Sequence, residues 1–160
     1  METINITKEL RLLPFQADMM KLRVALTWYQ DKELLNQVNG TTEVYVLERL
    51  VRMYDYQKKN GELYFIEIFD SGKWLPIGDV CLSRDDFAIV IGNRNYQEQG
   101  IGKLVLNAMI ARAKSLGFDT IQVQEIYDFN KRSQNLFLSA GFKVNQLTSN
   151  GRSYCLKLEK

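Results

Sequence analysis

The sequence predicts a mixed α/β or α+β fold, a sheet with helices packed on it rather than a regular βαβ winding. Short runs suited to strands, either alternating or wholly apolar, occur along the whole chain. Segments whose apolar residues recur at helical spacing lie between them. Glycine does most of the punctuating, with ten glycines against two prolines. The glycine breaks fall at Asn39-Gly40, Asn60-Gly61, Ser71-Gly72, Gly92, Gly117, Gly141 and Asn150-Gly151. A length of 160 residues and a mass of 18.6 kDa predict one domain over residues 1–160. Such a chain buries roughly two thirds of its unfolded surface.

Taken in order, residues 4–13 alternate partway and read as a first strand. Residues 15–29 carry Phe15, Met19, Leu22, Val24 and Leu26 near helical spacing, with Pro14 suited to a helix start. Residues 44–56 read as another helix through Val44, Leu47, Leu50, Val51 and Tyr54. Residues 63–69 alternate around Tyr64, Ile66 and Ile68, and form a hairpin with 74–82 across Asp70-Ser71-Gly72-Lys73. Residues 87–91 (Phe-Ala-Ile-Val-Ile) suit a strand buried on both faces. Residues 101–116 form a strong amphipathic helix striped by Ile101, Leu104, Val105, Ala108, Met109 and Leu116, with Gly117 as its stop. A strand over 120–126 and a helix over 131–140 follow. Residues 142–147 and 153–158 make a closing hairpin across Thr148-Ser149-Asn150-Gly151-Arg152, where Asn-Gly is a strong turn signal.

Composition removes several chemistries. The chain has no histidine. That excludes a Ser-His-Asp triad, a Cys-His pair, an HExxH metal site and an imidazole base. Acid–base work must fall to Asp, Glu, Tyr, Lys, Cys, backbone or water. The two cysteines, Cys81 and Cys155, cannot make a structural zinc site, and each sits in an apolar run that suits an inert packed thiol. No metal ligand set is expected. A surplus of 21 basic over 19 acidic side chains leaves a net charge of +2. That balance does not predict a nucleic-acid partner. The first ten residues have no long apolar core, and no window approaches about 18 consecutive apolar residues. No membrane association and a cytoplasmic location are expected.

The segment richest in chemistry runs from Phe87 to Phe118. A strand ends at Gly92, a polar turn follows, and Gln97-Glu98-Gln99-Gly100-Ile101-Gly102-Lys103 opens a long helix. The first helical N–H groups have no intrahelical acceptor and lie at the positive end of the macrodipole. Glycines there let an anion approach the backbone closely. Strand, glycine turn and helix N-terminus therefore make a pyrophosphate cradle, or else a plain tight turn. The Walker pattern is missing, and Val105 stands where a dinucleotide fingerprint needs its third glycine.

The spacing that fits is Q/R-x-x-G-x-G/A, with Gln97, Gly100 and Gly102 in place. It resembles the acyl-CoA-binding motif of the GNAT superfamily of N-acetyltransferases. Downstream, Ile126 to Phe137 resembles the family's V-x-x-x-N-x-x-A/S-x-x-L-Y/F through Asn130, Ser133, Leu136 and Phe137, and Gly141-Phe142 matches its G-F ending. The likeness is firm from about Phe87 to Phe142. Earlier, Trp28-Tyr29, Tyr64 to Glu67 and Ile77 to Val80 look like the branch containing aminoglycoside and ribosomal-protein acetyltransferases.

The resemblance implies a single GNAT-like domain with a mixed, mostly antiparallel sheet, helices on both faces and a C-terminal β-hairpin. It implies acetyl-CoA as cosubstrate, with CoA as product. The strand at Ile89, Val90 and Ile91 would offer backbone groups to the pantetheine arm. The turn formed by Gln97, Glu98, Gln99, Gly100, Ile101, Gly102 and Lys103 would bind the cofactor, its amides from Gln99 to Lys103 holding the pyrophosphate. Gln97 either binds or braces the turn. Asn130 would bind the CoA arm, cap the following helix, or both. Ser133 would lie near the cofactor.

One position departs from the family. Where many members have a tyrosine that protonates the departing thiolate, this chain has Phe137, which has no proton to give. Phe137 would pack against the thioester, and Tyr127, Tyr96 or a water would serve as the acid. The base is also open, because the strand before the glycine turn carries no carboxylate. Glu67, Asp79 and Glu125 on predicted strands are candidates, with Asp85 and Asp86 just ahead of the strand. Alignment and a polarised carbonyl supply much of the acceleration, so a sequential mechanism with direct amine attack is expected. A cysteine acyl-enzyme is not, since neither thiol has an activating neighbour in the sequence.

The acceptor, a small-molecule or peptide amine, is expected between the N-terminal helices and the far side of the sheet. Trp28, Tyr29, Tyr64 and Trp74 would wall it, unless they are core. Asp31, Glu33, Glu43 and Glu48 would attract a cation, unless they form a solvated face. The chain is expected as a monomer or homodimer. Two rival readings remain: a non-catalytic acyl-CoA-binding sensor or scaffold, and a nucleotide-binding protein that uses the same glycine turn.

Overall fold

A computed structural model describes residues 1–159. Two antiparallel sheets organise the chain. The first has five strands in sequential order: β1 (Ile4–Asn5), β2 (Leu10–Pro14), β3 (Gly61–Asp70), β4 (Lys73–Ser83) and β5 (Ala88–Ile91). The second has three, β6 (Thr120–Tyr127), β8 (Gly151–Lys157) and β7 (Lys143–Leu147), with β8 in the middle. The helices are α1 (Met19–Trp28), α2 (Lys32–Asn39), α3 (Leu47–Asn60), α4 (Ile101–Ser115) and α5 (Lys131–Ser139).

The expected antiparallel sheet is present but divided, and the division creates the site. β5 has one neighbour in its sheet, β4. Its other edge meets β6 at one end, where Phe87 N–H donates to Gln122 O at 2.7 Å. Beyond Phe87 the two strands separate. Residues 87–91 are therefore not a strand buried on both faces. Ala88, Ile89 and Ile91 are half-buried, and Val90 alone of the four is buried.

Two cores flank the first sheet, because side chains alternate along its strands. Tyr64, Ile66, Ile77 and Val80 join Val105, Leu106 and Met109 of α4 on one face. Leu63, Phe65 and Cys81 join Leu22, Ala25, Trp28, Leu35, Leu50 and Tyr54 of α1–α3 on the other. The buried stripe of α4 is Ile101, Val105, Leu106, Met109 and Ala113, whereas Leu104 and Leu116, expected in it, are exposed. Burial of each aliphatic side chain in that stripe contributes roughly 1.5–3 kcal/mol.

Local chemistry explains the remaining departures. Residues 4–13 are a hairpin, not one strand, since Ile6 and Thr7 N–H both turn back to Leu10 O. Pro14 ends β2, and α1 starts later because Asp18 Oδ1 caps it through Met20 and Lys21 N–H. Helix α2 was not expected. Its signals are the Asp31 cap on Glu33 and Leu34 N–H, the spacing of Leu34, Leu35 and Val38, and Gly40 at φ 67°. Asn60-Gly61 is no turn, because α3 runs straight into β3. No helix among the described residues is long and apolar enough to cross a membrane.

Candidate active site

Where β5 and β6 separate, two clefts open on either side of β5. The first is a groove of about 200 Å³ between β5, the start of α4 and α5. Ile89, Val90 and Ile91 form one wall, and Gln97, Glu98, Gly100, Ile101, Gly102 and Lys103 form the other. Asn130, Arg132, Ser133 and Leu136 close it from α5, and Leu34, Gln37 and Val38 of α2 close it from above. The sequence motif is thus gathered in one place, except that Gln99 does not line the groove. Its side chain donates to Asn95 O at 2.7 Å and holds the turn.

The start of α4 suits an anion. Gly100 is its N-cap at φ 80° and supplies no side-chain cap, so the first N–H groups are left for another acceptor. Gly102 lacks a side chain for a reason outside the protein's own packing. A Cβ there would meet only Leu136, at 3.5 Å, which is ordinary contact. Its bareness keeps the groove open. Gln97 ties the turn to its surroundings: Nε2 donates to Ile91 O at 2.8 Å, and Oε1 accepts from Arg132 Nη1 at 3.2 Å. Asn130 caps α5 by accepting from Ser133 N–H at 3.2 Å, and its Nδ2 donates to Gln37 O at 3.4 Å. Tyr96 lines the groove, and its hydroxyl donates a hydrogen bond to Asp70 Oδ2.

The second cleft, of about 320 Å³, lies between β5, β6 and helices α1–α3. Val90, Ile89, Gln37, Val38, Asn130 and Ser133 line both clefts, so the two meet along β5. Tyr127 lines the second, its ring stacked on Phe129 at 5.5 Å, and burial followed by the charge of Glu125 raises its phenol above the ordinary value. Phe137 lines it too, edge-on to Phe87 and Phe142.

Asp79 is the most unusual group on this wall. It is 2% exposed on β4, directly across the ladder from Val90. Tyr29 from α1 and Tyr54 from α3 each donate a hydroxyl to Asp79 Oδ2 at 2.8 Å. Burial raises its carboxyl to about 6, against the opposing pull of the two hydroxyls. Burial and the neighbouring Asp79 charge raise both phenols far above the ordinary range. Glu125 and Asp86 line the same cleft.

Several expected site residues lie elsewhere. Glu67 is buried between Arg11 (2.7 Å) and Lys21 (2.9 Å) and lines neither cleft. Trp28 packs in the helical core against Phe65, and fills the space where Gly92 would carry a Cβ. Tyr64 sits in the opposite core with its hydroxyl on Glu62. Trp74 lies under the Arg11 guanidinium. Asp31 caps α2 and holds Arg94, which Glu33 also meets, so these acids are neutralised away from the second cleft. Cys81 is buried, its thiol pushed up to about 12, mainly by burial. Sequence reasoning missed α2 as a wall of both clefts. It also missed Tyr45 and Gln57, which no local pattern marks.

The model of the Acetyltransferase (GNAT) family matches residues 25–142. A comparison with curated proteins finds no match. Among solved structures, a domain from Methanocaldococcus jannaschii is similar at a TM-score of 0.80, with 19% identity over 94% of this chain and 100% of that one. Spermidine N-acetyltransferase from Vibrio cholerae, in complex with CoA and spermine, gives 0.73, with 16% identity over 95% of this chain and 97% of that one. An acetyltransferase from Salmonella typhimurium that modifies the N-terminal serine of ribosomal protein L7/L12 gives 0.73, with 15% identity over 99% and 100%. At these identities the likeness is one of fold.

Proposed function

Since the chain belongs to the GNAT acetyltransferase family, we propose that it moves an acetyl group from acetyl-CoA to a primary amine by direct attack within a ternary complex. The meeting of two clefts along β5 carries this reading. One cleft has the bare helix start and the open strand edge; the other has the buried carboxylate. The thioester supplies the activated acetyl group.

In this reading the residues of the first groove bind and orient. The N–H groups at the start of α4 receive the pyrophosphate, with Lys103 adding charge at the rim. Bare Gly102 admits it, and the edge of Ile89, Val90 and Ile91 pairs with the amide-bearing arm. Asn130 and Ser133 hold the far side, and Gln97 keeps the turn in place. Phe137 and Val90 keep the junction apolar, which strengthens any polar contact made there. The acceptor comes from the second cleft, beside Tyr29. Tyr127 is the candidate donor of the proton that the sulfur takes up. Ordered alignment of two bound reactants is worth up to roughly 7–11 kcal/mol in ideal cases.

A calorimetric titration with acetyl-CoA, with ATP and NAD as controls, is the direct test. Selective acetyl-CoA binding is expected, followed by free-thiol release on addition of an amine. Folded protein that binds no acetyl-CoA overturns the reading.

A further inference from the structure

The second cleft has a larger neighbour. Past Asp86 and Ala88 it adjoins a cavity of about 520 Å³ between α3, the start of β3 and the loop before β5. Met53, Gln57, Asp86 and Ala88 line both spaces, so the two lie side by side at these residues.

The charge lining the second cleft has one sign. No lysine or arginine lines the second cleft, whereas Asp79, Asp86 and Glu125 do. None of these three forms an ion pair among the described residues. The further cavity is of mixed charge: Asp85, Asp86 and Arg84 line it, Arg84 lying over the Phe118 ring at 4.3 Å, while Glu62 is already held by Arg112 through both oxygens, at 2.9 and 2.8 Å. Asp86 Oδ1 accepts from Gln124 N–H, and Glu125 Oε2 accepts from Asn150 N–H, both at 3.1 Å. These are backbone donors and leave the carboxylate charges uncompensated.

Two further atoms ask for a donor. The hydroxyls of Tyr29 and Tyr54 share Oδ2 of Asp79, so Oδ1 is the oxygen left for the cleft. Gln57 Oε1, where the two spaces adjoin, is buried with no hydrogen-bond partner. An ammonium has three donors and no acceptor, and satisfies both kinds of oxygen. An amino-acid acceptor fits poorly, because its carboxylate would meet three acids and no cation.

We infer that the acceptor is an elongated organic cation with at least two amino groups, a linear polyamine by chemical class, whose reacting nitrogen sits at Asp79 and whose further ammonium groups lie past Gln57 against Asp86. This rests on the acetyl-transfer reading above. The free amine at Asp79 attacks the thioester carbonyl carbon. The C–N bond forms, the C–S bond breaks, and CoA leaves as the thiolate. The proton lost from nitrogen passes to Asp79 and then to solvent, from which, or from Tyr127, the thiolate takes one. Tyr29 and Tyr54 position the carboxylate and are not themselves the base. Val90, opposite Asp79, lies on the strip common to both clefts, where such an attack must occur.

The test measures thiol release at saturating acetyl-CoA with a linear triamine, a monoamine of equal length and an amino acid. A kcat/KM at least about tenfold higher for the triamine than for the monoamine is expected, falling steeply with added salt. Asp79→Asn should lower kcat with acetyl-CoA affinity kept and the protein folded. Asp86→Asn should raise KM for the triamine more than for the monoamine. Equal turnover of triamine and monoamine, or preference for the amino acid, overturns the inference and leaves acetyl transfer standing. Undiminished kcat in Asp79→Asn overturns the role of Asp79. Acetyl-CoA binding with no thiol release from any amine overturns both readings.

Discussion

The groove beside α4 and the cleft beside α1–α3 share a wall of six residues but are built on different principles. The groove draws mainly on two continuous segments, 89–103 and 130–136, and works through backbone: an uncapped helix start, a strand edge, and two glycines. The cleft draws single side chains from the residue after α1, from α2, α3 and α5, and from β4, β5 and β6, and is marked by carboxylates and phenols. A site made of backbone tolerates changed side chains as long as the chain path is kept. A site made of side chains can be respecified by single substitutions without disturbing the fold. Under the proposed function, binding of the common donor and choice of the acceptor fall to regions with different tolerance to mutation.

That contrast breaks first at Asp79. Asp79→Asn keeps the two tyrosine bonds on an amide oxygen but cannot take a proton, so kcat should fall by about 10³, within the range for a general base. The same substitution should change the stability profile. Unfolded, the carboxyl titrates near 4; folded, burial moves it up to about 6. Between those values the folded chain holds a proton that the unfolded chain has lost. Stability therefore falls as pH rises through that window, by at most about 3 kcal/mol. The groups packed on Asp79, namely Tyr29 from α1, Tyr54 from α3 and Cys81 on β4, are all shifted upward and stay neutral there. Chemical denaturation of both forms from pH 4 to 8 should show the slope in the parent and not in Asp79→Asn.

A second break lies in the groove. Gly102→Glu places bulk and negative charge where the fold has room, so acetyl-CoA affinity should drop by about 10², or about 2.7 kcal/mol. The melting temperature should hold or rise, because glycine is the poorer helix former by up to about 1 kcal/mol. Calorimetry and a thermal melt on one sample separate the two effects, and a large loss of melting temperature would contradict the claim that Gly102 is bare for the ligand.

Smaller changes sharpen the comparison. Tyr54→Phe removes one bond to the Asp79 carboxylate, so the acidic limb of the pH–rate profile should move up by about one unit. The basal fold should persist, since the ring still packs on Phe15 and Phe65. Glu67→Gln should have the least effect on turnover, within about twofold, because its carboxylate serves Arg11 and Lys21 away from both clefts. Its cost is structural, about 1–3 kcal/mol from loosening a buried acceptor, and is readable in a urea titration.

Legibility followed the same division. The α4 segment could be read because one turn of backbone does the work, and its glycines, its helix start and the later Asn130 fall at fixed spacing. Hairpin β7–β8 could be read from Asn150-Gly151 for the same reason. Trp28 and Tyr64 were misplaced because an aromatic residue has the same appearance in a core as in a substrate wall, and only packing separates them. Residues 87–91 looked fully buried because an apolar run is also what a ligand-lined edge strand requires. Helix α2 was passed over although its cap and stop are local, since the short apolar pattern of Leu34, Leu35 and Val38 lies in a polar stretch.

The sequence alone therefore determined what short-range chemistry determines: the strand–turn–helix that can hold an anion, the exclusion of imidazole chemistry and of a structural zinc site, the closing hairpin and the family likeness. The tertiary structure decided what depends on separation in space. It split the sheet at Phe87, sent Glu67 to a salt bridge, and brought Tyr29 and Tyr54, 50 and 25 residues away, onto one oxygen of Asp79. No spacing rule encodes that last contact, because it exists only once α1 and α3 have packed on β4 and excluded the water that would otherwise solvate the carboxylate.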